Sequence, residues 1–229
     1  MRRLFPDPTG SVDLREAYAP PGERFVRVNF AVSVDGAVTV DGKSRGLSGD
    51  ADHEIFDLLR TMADVVLVGA GTVRIEDYGG ARVDAAHVPP VAVVSRSLAL
   101  DPDARVFTVP SVRPIVITCA EAPAERRKAL SEVADVIVAG DDSVDFSSAL
   151  DQLAERGLSR VLNEGGPHLF GQLAAAHLVD ELCLTLSPLI AGGASGRIIA
   201  GLAEHLADRL RLVQVLEDGG FLFLRYAVA

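Results

Sequence analysis

The sequence has few cysteines and no long apolar run. Its two cysteines, Cys119 and Cys183, each lie inside a short apolar run and are far apart in the chain. This placement favours buried, inert thiols in a reducing compartment over a disulfide or a metal site. No stretch approaches the roughly twenty apolar residues that a membrane-spanning helix needs, and residues 1–6 do not resemble an apolar signal core. We therefore expect a cytoplasmic protein with no membrane partner.

Positive charge is also scarce. The chain has 22 Lys and Arg against 32 Asp and Glu, which gives a formal net charge of −10 at pH 7. Nucleic-acid binding needs a positive face, so this balance excludes nucleic acid as a general partner. A small phosphorylated ligand remains compatible, because a few arginines and helix N-termini can hold one anion on an acidic protein.

The short motifs of several enzyme classes are missing. There is no Gly-x-Ser-x-Gly, Walker A or His-Glu-x-x-His motif and no zinc-deaminase signature, and the five histidines have no ligand spacing. We therefore assign no metal and no catalytic side chain. Hydride transfer fits such a sequence, because a cofactor then carries the chemistry and the protein positions two ligands.

Two glycine-centred turns are the most informative features that are present. Residues 69–72 (Gly-Ala-Gly-Thr) and 163–167 (Asn-Glu-Gly-Gly-Pro) each follow or end a short apolar run, a pattern that indicates a strand, a turn and a helix. Such turns point backbone N–H groups outward at the positive end of a helix dipole, which suits phosphate. Either turn alone can be a plain chain reversal. The two together favour a dinucleotide.

The residues around the first turn indicate which dinucleotide. Arg74 stands where the usual fingerprint has its third glycine, which weakens a standard Rossmann interpretation. The acidic residue that would hold a ribose 2′-hydroxyl is also missing, since the next strand ends in Ser95-Arg96. A hydroxyl and a guanidinium suit a 2′-phosphate, so NADPH is predicted over NADH. An exposed Ser-Arg pair is also typical of a solvated loop.

The order of elements predicts a three-layer αβα domain over residues 24–229, after an extended lead-in (1–23) with at most one helical turn near 14–18. Asp218-Gly219-Gly220 predicts a hairpin, so an antiparallel pair closes a mixed, mostly parallel sheet. Helices are predicted at 51–62, from 72, and at 122–133, 146–157 and 167–176. Strands are predicted at 24–34, 64–69, 91–95, 105–109, 114–119, 135–139, 159–163, 181–187, 210–217 and 221–229.

Four segments together resemble the reductase domain of bacterial bifunctional riboflavin-biosynthesis proteins: residues 29–36, 68–77, 163–167 and 188–193. The similarity covers about residues 24–228, and four motifs in one order are more specific than any single motif. The resemblance implies a dihydrofolate-reductase-like fold and NADPH-dependent reduction of 5-amino-6-(5-phosphoribosylamino)uracil to its ribitylamino form. The deaminase half of such proteins has no match, so a stand-alone reductase is expected.

The same resemblance implies the binding residues. The cofactor residues, with Gly69, Gly71 and Arg96 added from the turns above, are Ala31, Gly46, Gly69, Gly71, Thr72, Glu76, Ser95, Arg96, Gly166, Pro167, His168, Leu169, Phe170, Gly171 and Gln172. The implied substrate residues are Asn29, Ser44, Arg60, Gly80, Arg82 and Glu164. Asn29 departs from the pattern, because many relatives have Lys there, and the match at Arg82 needs a one-residue gap that could shift it to Val83.

Two of these residues also have a physical rationale. Arg60 follows the apolar stripe of helix 51–62 and could clamp the ribose phosphate with both arms of its guanidinium, or could be a surface arginine. Glu164 lies in a glycine-rich turn, where its carboxylate could accept N–H bonds from the pyrimidine or simply be favoured by a helix dipole.

Two other functions remain open, together with one expectation about assembly. A pterin reductase of the same fold needs a carboxylate for its ring, but the first strand offers Asn29, and Asp35 lies at a turn. A non-catalytic NADP-binding module would bind the cofactor without turnover.

Relatives commonly form homodimers, and the apolar run 221–224 cannot all face one side of a strand. We therefore expect a homodimer that covers part of this sheet.

Overall fold

The computed structural model describes residues 1–81, 87–203 and 206–228. Within these residues ten strands form one mixed sheet. The strands are β1 (Arg2–Phe5), β2 (Phe25–Ser33), β3 (Val65–Gly69), β4 (Val91–Val94), β5 (Ile115–Thr118), β6 (Asp135–Val138), β7 (Arg160–Asn163), β8 (Glu181–Ser187), β9 (Leu210–Asp218) and β10 (Phe221–Val228). Their order across the sheet is β1-β9-β10-β8-β2-β7-β3-β4-β5-β6.

The sheet has a parallel part and an antiparallel part. Strands β8, β2, β7, β3, β4, β5 and β6 run parallel to one another. Strand β10 pairs antiparallel with β8, and β9 pairs antiparallel with β10 through the predicted turn at 218–220. The predicted mixed sheet with a closing antiparallel hairpin is therefore confirmed.

Helices cover both faces of this sheet. They are α1 (Leu14–Ala17), α2 (Asp50–Met62), α3 (Ala70–Ile75), α4 (Arg105–Thr108), α5 (Ala124–Val133), α6 (Phe146–Ala154) and α7 (Pro167–Ala175), with a 3₁₀ turn at Ser44–Leu47. Alternation along β3 separates two cores: Val66 and Val68 pack on the α2 side, and Val65 and Leu67 pack on the α6 and α7 side. The three-layer prediction is confirmed.

Two segments differ from the sequence prediction. The run at 105–109, predicted as a strand, contains helix α4. Its neighbours Val106 and Phe107 are both buried in the same core, which a helical turn permits and the alternation of a strand does not. Residues 2–5, expected to be an extended lead-in, form the edge strand β1 on β9. The predicted helical turn near 14–18 is α1.

Both cysteines are buried free thiols, as predicted. Burial raises the pKa of Cys183 well above its ordinary value, which keeps this thiol protonated and unreactive. No helix within the described parts of the chain combines the length and the apolar character that crossing a membrane requires.

A buried group of charges joins three strands to the N-terminal segment; we call it the Arg27–Glu181–Arg225 cluster. Arg27 and Arg225 each donate to the Glu181 carboxylate, at 2.7 Å. Arg27 also donates to the carbonyl of Tyr18 and Arg225 to that of Ala17. The cluster therefore fastens the end of α1 to β2, β8 and β10.

Candidate functional site

Two adjacent cavities open beside the carboxyl ends of the central parallel strands. The first has a volume of about 410 Å³ and the second about 590 Å³. They share five lining residues: Thr72, Ile75, Gly166, Pro167 and His168. Ligands of open α/β sheets bind at this edge, where the loops after parallel strands converge. The two cavities together form the candidate site.

The two predicted glycine turns meet at this edge and interlock. The N–H of Gly69 donates to the carbonyl of Gly165 at 3.1 Å. Gly165 has φ of +110°, a conformation that side chains disfavour. A Cβ at Gly166 would lie 3.0 Å from the Thr72 hydroxyl oxygen, so the close approach of the two turns leaves little room for a larger residue there. The turns thus form one bare backbone surface rather than two separate ones.

Most predicted cofactor residues lie on the cavities. The second cavity is lined by Gly69, Gly71, Thr72, Ser95, Arg96, Gly166, Pro167, His168, Leu169 and Gln172. Ala31 and Glu76 line the first cavity.

Three predicted cofactor residues are not brought to either cavity. A Cβ at Gly46 would approach the Val40 side chain to 2.9 Å, and one at Gly171 would approach the Ala200 carbonyl oxygen to 2.7 Å. Phe170 is buried and stacks on Phe30 at a centroid distance of 5.6 Å. These three positions are filled by packing, which short motifs do not distinguish from ligand contact.

Two arginines make the second cavity locally positive on an acidic protein. Arg96 is exposed, and its Nε donates to the carbonyl of Asp142 at 2.7 Å. Arg74 lines the same cavity; from the sequence it was noted only because it stands where the dinucleotide fingerprint has its third glycine. Ser95 beside Arg96 is buried at the end of β4. Hydroxyl and guanidinium donors can therefore bind a phosphate group in this cavity.

The predicted substrate residues divide in the same way. Asn29, Ser44 and Glu164 line the first cavity. Gly80 does not, because it packs against residues 110–111, where a Cβ would lie 2.6 Å from the backbone nitrogen of Ser111. Arg82 lies outside the described residues, as does the alternative Val83.

Arg60 and Glu164 contact each other, which corrects the expectation of two free charged groups. Arg60 donates to both carboxylate oxygens of Glu164, at 2.7 Å each, and to the Tyr78 hydroxyl at 2.8 Å. Tyr78 donates in turn to Glu164. The side chains of Arg60 and Glu164 are only 11% and 1% exposed. We call this the Arg60–Glu164 pair; its guanidinium is engaged, and Glu164 faces the cavity through its backbone.

Burial and the neighbouring carboxylate keep Arg60 and Tyr78 protonated. Burial raises the pKa of Tyr78 well above 10, and the Glu164 carboxylate raises it further, so the phenol stays a donor. Burial alone would lower the pKa of Arg60, but Glu164 raises it above its ordinary value. The Arg60 guanidinium also lies over the Phe56 ring, 4.2 Å from its centroid.

Asp35 joins two of the motifs on which the sequence resemblance depends. Its carboxylate accepts the N–H groups of Ala191 at 3.0 Å and Gly192 at 2.7 Å, together with the Ser33 hydroxyl. These bonds lower the pKa of Asp35 to about 2. Asp35 therefore tethers the loop at 188–193. Its carboxylate is engaged, so it is not available to bind the ring of a pterin.

The loop that Asp35 tethers continues over the first cavity. The Ser195 hydroxyl accepts the N–H groups of Val38 and Thr39, at 3.0 and 3.1 Å. The next residues, Gly196 and Arg197, line the cavity. Among its described lining residues, Arg197 is the one lysine or arginine. Sequence reasoning missed Arg197, because it follows the fourth motif in a loop with no recognisable pattern.

Asp52 was also missed. It lines the first cavity and is 6% exposed, and no hydrogen-bond or ion-pair partner reaches its carboxylate from the described residues. An acid in the first turn of a helix is normally explained by the helix dipole. The signal that could have found it is the spacing, because Asp52, Ile55 and Leu59 recur along the buried stripe of α2.

The comparisons with known proteins agree on one family. A model of the family described as the RibD C-terminal domain matches residues 24–223. A 2,5-diamino-6-ribosylamino-4(3H)-pyrimidinone 5′-phosphate reductase of Methanothermobacter thermautotrophicus is 36% identical, over 82% of this chain and 89% of its own length. A reductase of the same name from Aquifex aeolicus is 33% identical, over 77% of this chain and 82% of its own.

The solved structures agree with the sequence relatives. A pyrimidine reductase-like protein from Corynebacterium diphtheriae superposes with a TM-score of 0.82 and 28% identity, over 96% of each chain. This likeness confirms the predicted dihydrofolate-reductase-like fold.

Proposed function

The chain belongs to the RibD C-terminal domain family, and from this premise we propose that it is a pyrimidine reductase of riboflavin biosynthesis. Its reaction converts the ribosylamino group of a phosphorylated pyrimidine into a ribitylamino group by addition of a hydride and a proton. The substrate inferred from sequence is 5-amino-6-(5-phosphoribosylamino)uracil. The relatives described above are named for the 2,5-diamino-pyrimidinone counterpart, which differs at C2 of the ring.

The observation that carries this proposal is the pair of adjacent cavities at the interlocked glycine turns. A reductase must bring two ligands together there, because hydride transfer needs the donor and acceptor carbons in contact. The wall shared at Thr72 and Gly166 brings the two cavities together. A cavity of about 410 Å³ is of the size that holds a small molecule.

The family implies a nicotinamide cofactor, and we assign it to the second cavity. The residues of this cavity fit the phosphates of the cofactor. The space beside Gly71 is open, since a Cβ there would meet nothing within 4 Å, and the nine-residue helix α7 begins at Pro167 on the wall of the same cavity. Arg74 and Arg96 supply positive charge. When bound, the cofactor supplies the hydride. Ser95 and Arg96 support NADPH over NADH, because both can donate to a 2′-phosphate.

The first cavity takes the pyrimidine and its ribose phosphate. We assign the phosphate to Arg197, whose guanidinium makes no hydrogen bond with the described residues, in place of the engaged Arg60. The Arg60–Glu164 pair then acts through the 163–166 turn, because Glu164 anchors the backbone that forms the wall between the cavities. Asn29 and Ser44 remain candidate polar contacts.

Steady-state oxidation of NADPH and NADH tests the proposal, with each pyrimidine phosphate and with dihydrofolate as the acceptor. We expect turnover of a pyrimidine phosphate with a ribitylamino product identified by mass. Turnover of dihydrofolate alone would support a pterin reductase instead. Cofactor binding without turnover of any acceptor would support the non-catalytic module.

The expected homodimer remains a proposal, which light scattering at micromolar concentration tests.

A further inference from the structure

We propose that Asp52 makes the first cavity select a 2-amino-4-oxopyrimidine ring over a uracil ring. This selection rests on the proposed function, and it names the 2,5-diamino-pyrimidinone phosphate as the preferred substrate. It differs from the uracil expectation of the sequence analysis at one ring position. Only a carboxylate that is open to a ligand can select the ring in this cavity.

Three carboxylates lie among the described residues of the cavity, and two are engaged. Glu164 is bound by Arg60 and Tyr78, and its side chain is 1% exposed. Glu76 accepts the N–H of Ser44 at 3.0 Å. Asp52 has no such partner within the parts of the chain that the structure describes, although it is 6% exposed.

Asp52 is largely buried, so its carboxylate gives up part of its hydration, at a cost in free energy, and gains no hydrogen bond from the described residues in return. Its oxygens keep some exposure, which leaves them open to a ligand in the cavity that the residue lines. A ligand that donates N–H groups to both carboxylate oxygens would offset the cost. The Phe56 ring, one helical turn further along the same face of α2, offers an apolar surface beside that ligand.

The two candidate rings differ in what they offer Asp52. A 2-amino-4-oxopyrimidine presents the N3–H and one N–H of its 2-amino group side by side, which matches the two oxygens of a carboxylate. On the same ring edge a uracil presents N3–H flanked by two carbonyl oxygens, so one carboxylate oxygen would face an acceptor. The same geometry predicts that asparagine at this position favours uracil, since its amide accepts from N3–H and donates to a ring carbonyl.

The experiment compares the full-length protein with the Asp52→Asn and Asp50→Asn variants. Asp50 is the matched control, because it is an acid in the same first turn of α2 but is exposed. Calorimetry in the presence of NADP⁺ measures the dissociation constants of two ring probes, 2,5,6-triaminopyrimidin-4-one and 5,6-diaminouracil. The ratio of kcat/KM values is then measured for the two pyrimidine phosphates.

We expect the unaltered protein and Asp50→Asn to favour the 2-amino ring by about tenfold or more, the effect of one charge-assisted hydrogen bond. Asp52→Asn should reverse this preference. Equal affinities of the unaltered protein for the two probes, or an unchanged ratio in Asp52→Asn, would overturn the proposal. If Asp52→Asn does not fold, the probe ratio of the unaltered protein decides alone.

The acceptors separate this proposal from the proposed function. Reduction of both pyrimidine phosphates at equal kcat/KM would leave the proposed function intact and overturn ring selection by Asp52. Reduction of dihydrofolate alone, with loss in Asp52→Asn but not in Asp50→Asn, would uphold ring selection and overturn the pyrimidine reductase, because a pterin carries the same 2-amino-4-oxopyrimidine edge.

Discussion

The described residues include two buried arginine–glutamate groups, and the surroundings of these groups differ. In the Arg27–Glu181–Arg225 cluster two guanidinium groups share one carboxylate, and further N–H groups are bound by carbonyls of the N-terminal segment. In the Arg60–Glu164 pair one guanidinium meets one carboxylate, and the backbone of Glu164 forms a cavity wall. The cluster joins the end of α1 to three strands, and the pair fixes a turn that faces the ligand cavity.

The difference shows that burial and ion pairing do not by themselves mark a functional residue. Burial alone would raise the pKa of Glu181, but Arg27 and Arg225 lower it, so the carboxylate stays charged. Arg60 and Glu164 have comparable bonds and comparable burial. What separates the two groups is the neighbouring backbone: the end of α1 in one case and a glycine turn at the sheet edge in the other.

The largest effect is expected at the cluster. Glu181→Gln leaves two buried guanidinium groups without their counter-charge, and we expect the free energy of unfolding to fall by about 3–5 kcal/mol. Urea unfolding measures the loss. The folded fraction should keep its KM for the pyrimidine. A raised KM together with unaltered stability would remove the distinction between the two groups.

A smaller effect on stability and a larger one on KM are expected at the pair. Arg60→Ala leaves Glu164 buried without a counter-charge, so the 163–166 turn loses its anchor, and we expect the KM for the pyrimidine to rise by about tenfold. Arg60→Lys should rescue poorly, because an ammonium cannot make both bonds of the guanidinium. Titration with NADPH should show a smaller rise in its dissociation constant than in the KM for the pyrimidine, because Gly166 of the same turn lines the second cavity but Glu164 does not.

An arginine outside both groups sharpens the comparison, because Arg96 is exposed and has no carboxylate partner in the described structure. Arg96→Ala should shrink the preference for NADPH over NADH by about tenfold, with NADH affinity nearly unchanged, since the proposed cofactor contact of Arg96 is with the 2′-phosphate that NADH lacks. Calorimetry with both cofactors measures the change. Equal affinities of the unaltered protein for NADPH and NADH would show that Arg96 is only a surface residue.

The smallest effect is expected from Asp35, an exposed acid held by backbone N–H groups and a hydroxyl rather than by an arginine. Its pKa in the folded protein is about 2 against an ordinary 3.8. Its contribution to stability is therefore fully present above pH 3.8 and is lost as the pH falls toward 2. Unfolding measured across this range should be less pH-dependent in Asp35→Asn; identical profiles would contradict the tether.

Local patterns in the sequence predicted much of the fold. The apolar runs gave nearly all of the central strands, because a parallel strand buried on both faces is continuously apolar, as in β3. The two glycine turns predicted where a ligand edge forms, and in the second turn Gly165 has a positive φ and Gly166 approaches the Thr72 side chain closely. One short run was predicted wrongly: residues 105–109 have the composition of a strand but contain α4.

Contacts between distant residues could not be predicted in this way. Arg60 and Glu164 are 104 residues apart, so each was interpreted alone as a ligand contact when each is first a partner of the other. The pairing of β1 with β9 depends on residues at opposite ends of the chain. Asp52 was overlooked because its position in a helix has an ordinary explanation, and only the three-dimensional structure shows that its neighbours leave it open.

The place of β2 in the sheet has a consequence for synthesis on the ribosome. This strand is made early, yet it lies between β7 and β8, whose residues follow more than a hundred positions later. Until residues 160–187 emerge, the apolar β2 has neither of its neighbours, and the carbonyls at residues 17–18 lack the Arg225 that binds one of them. The nascent chain therefore carries an exposed apolar segment for most of its translation, a state in which chaperones bind and aggregation begins.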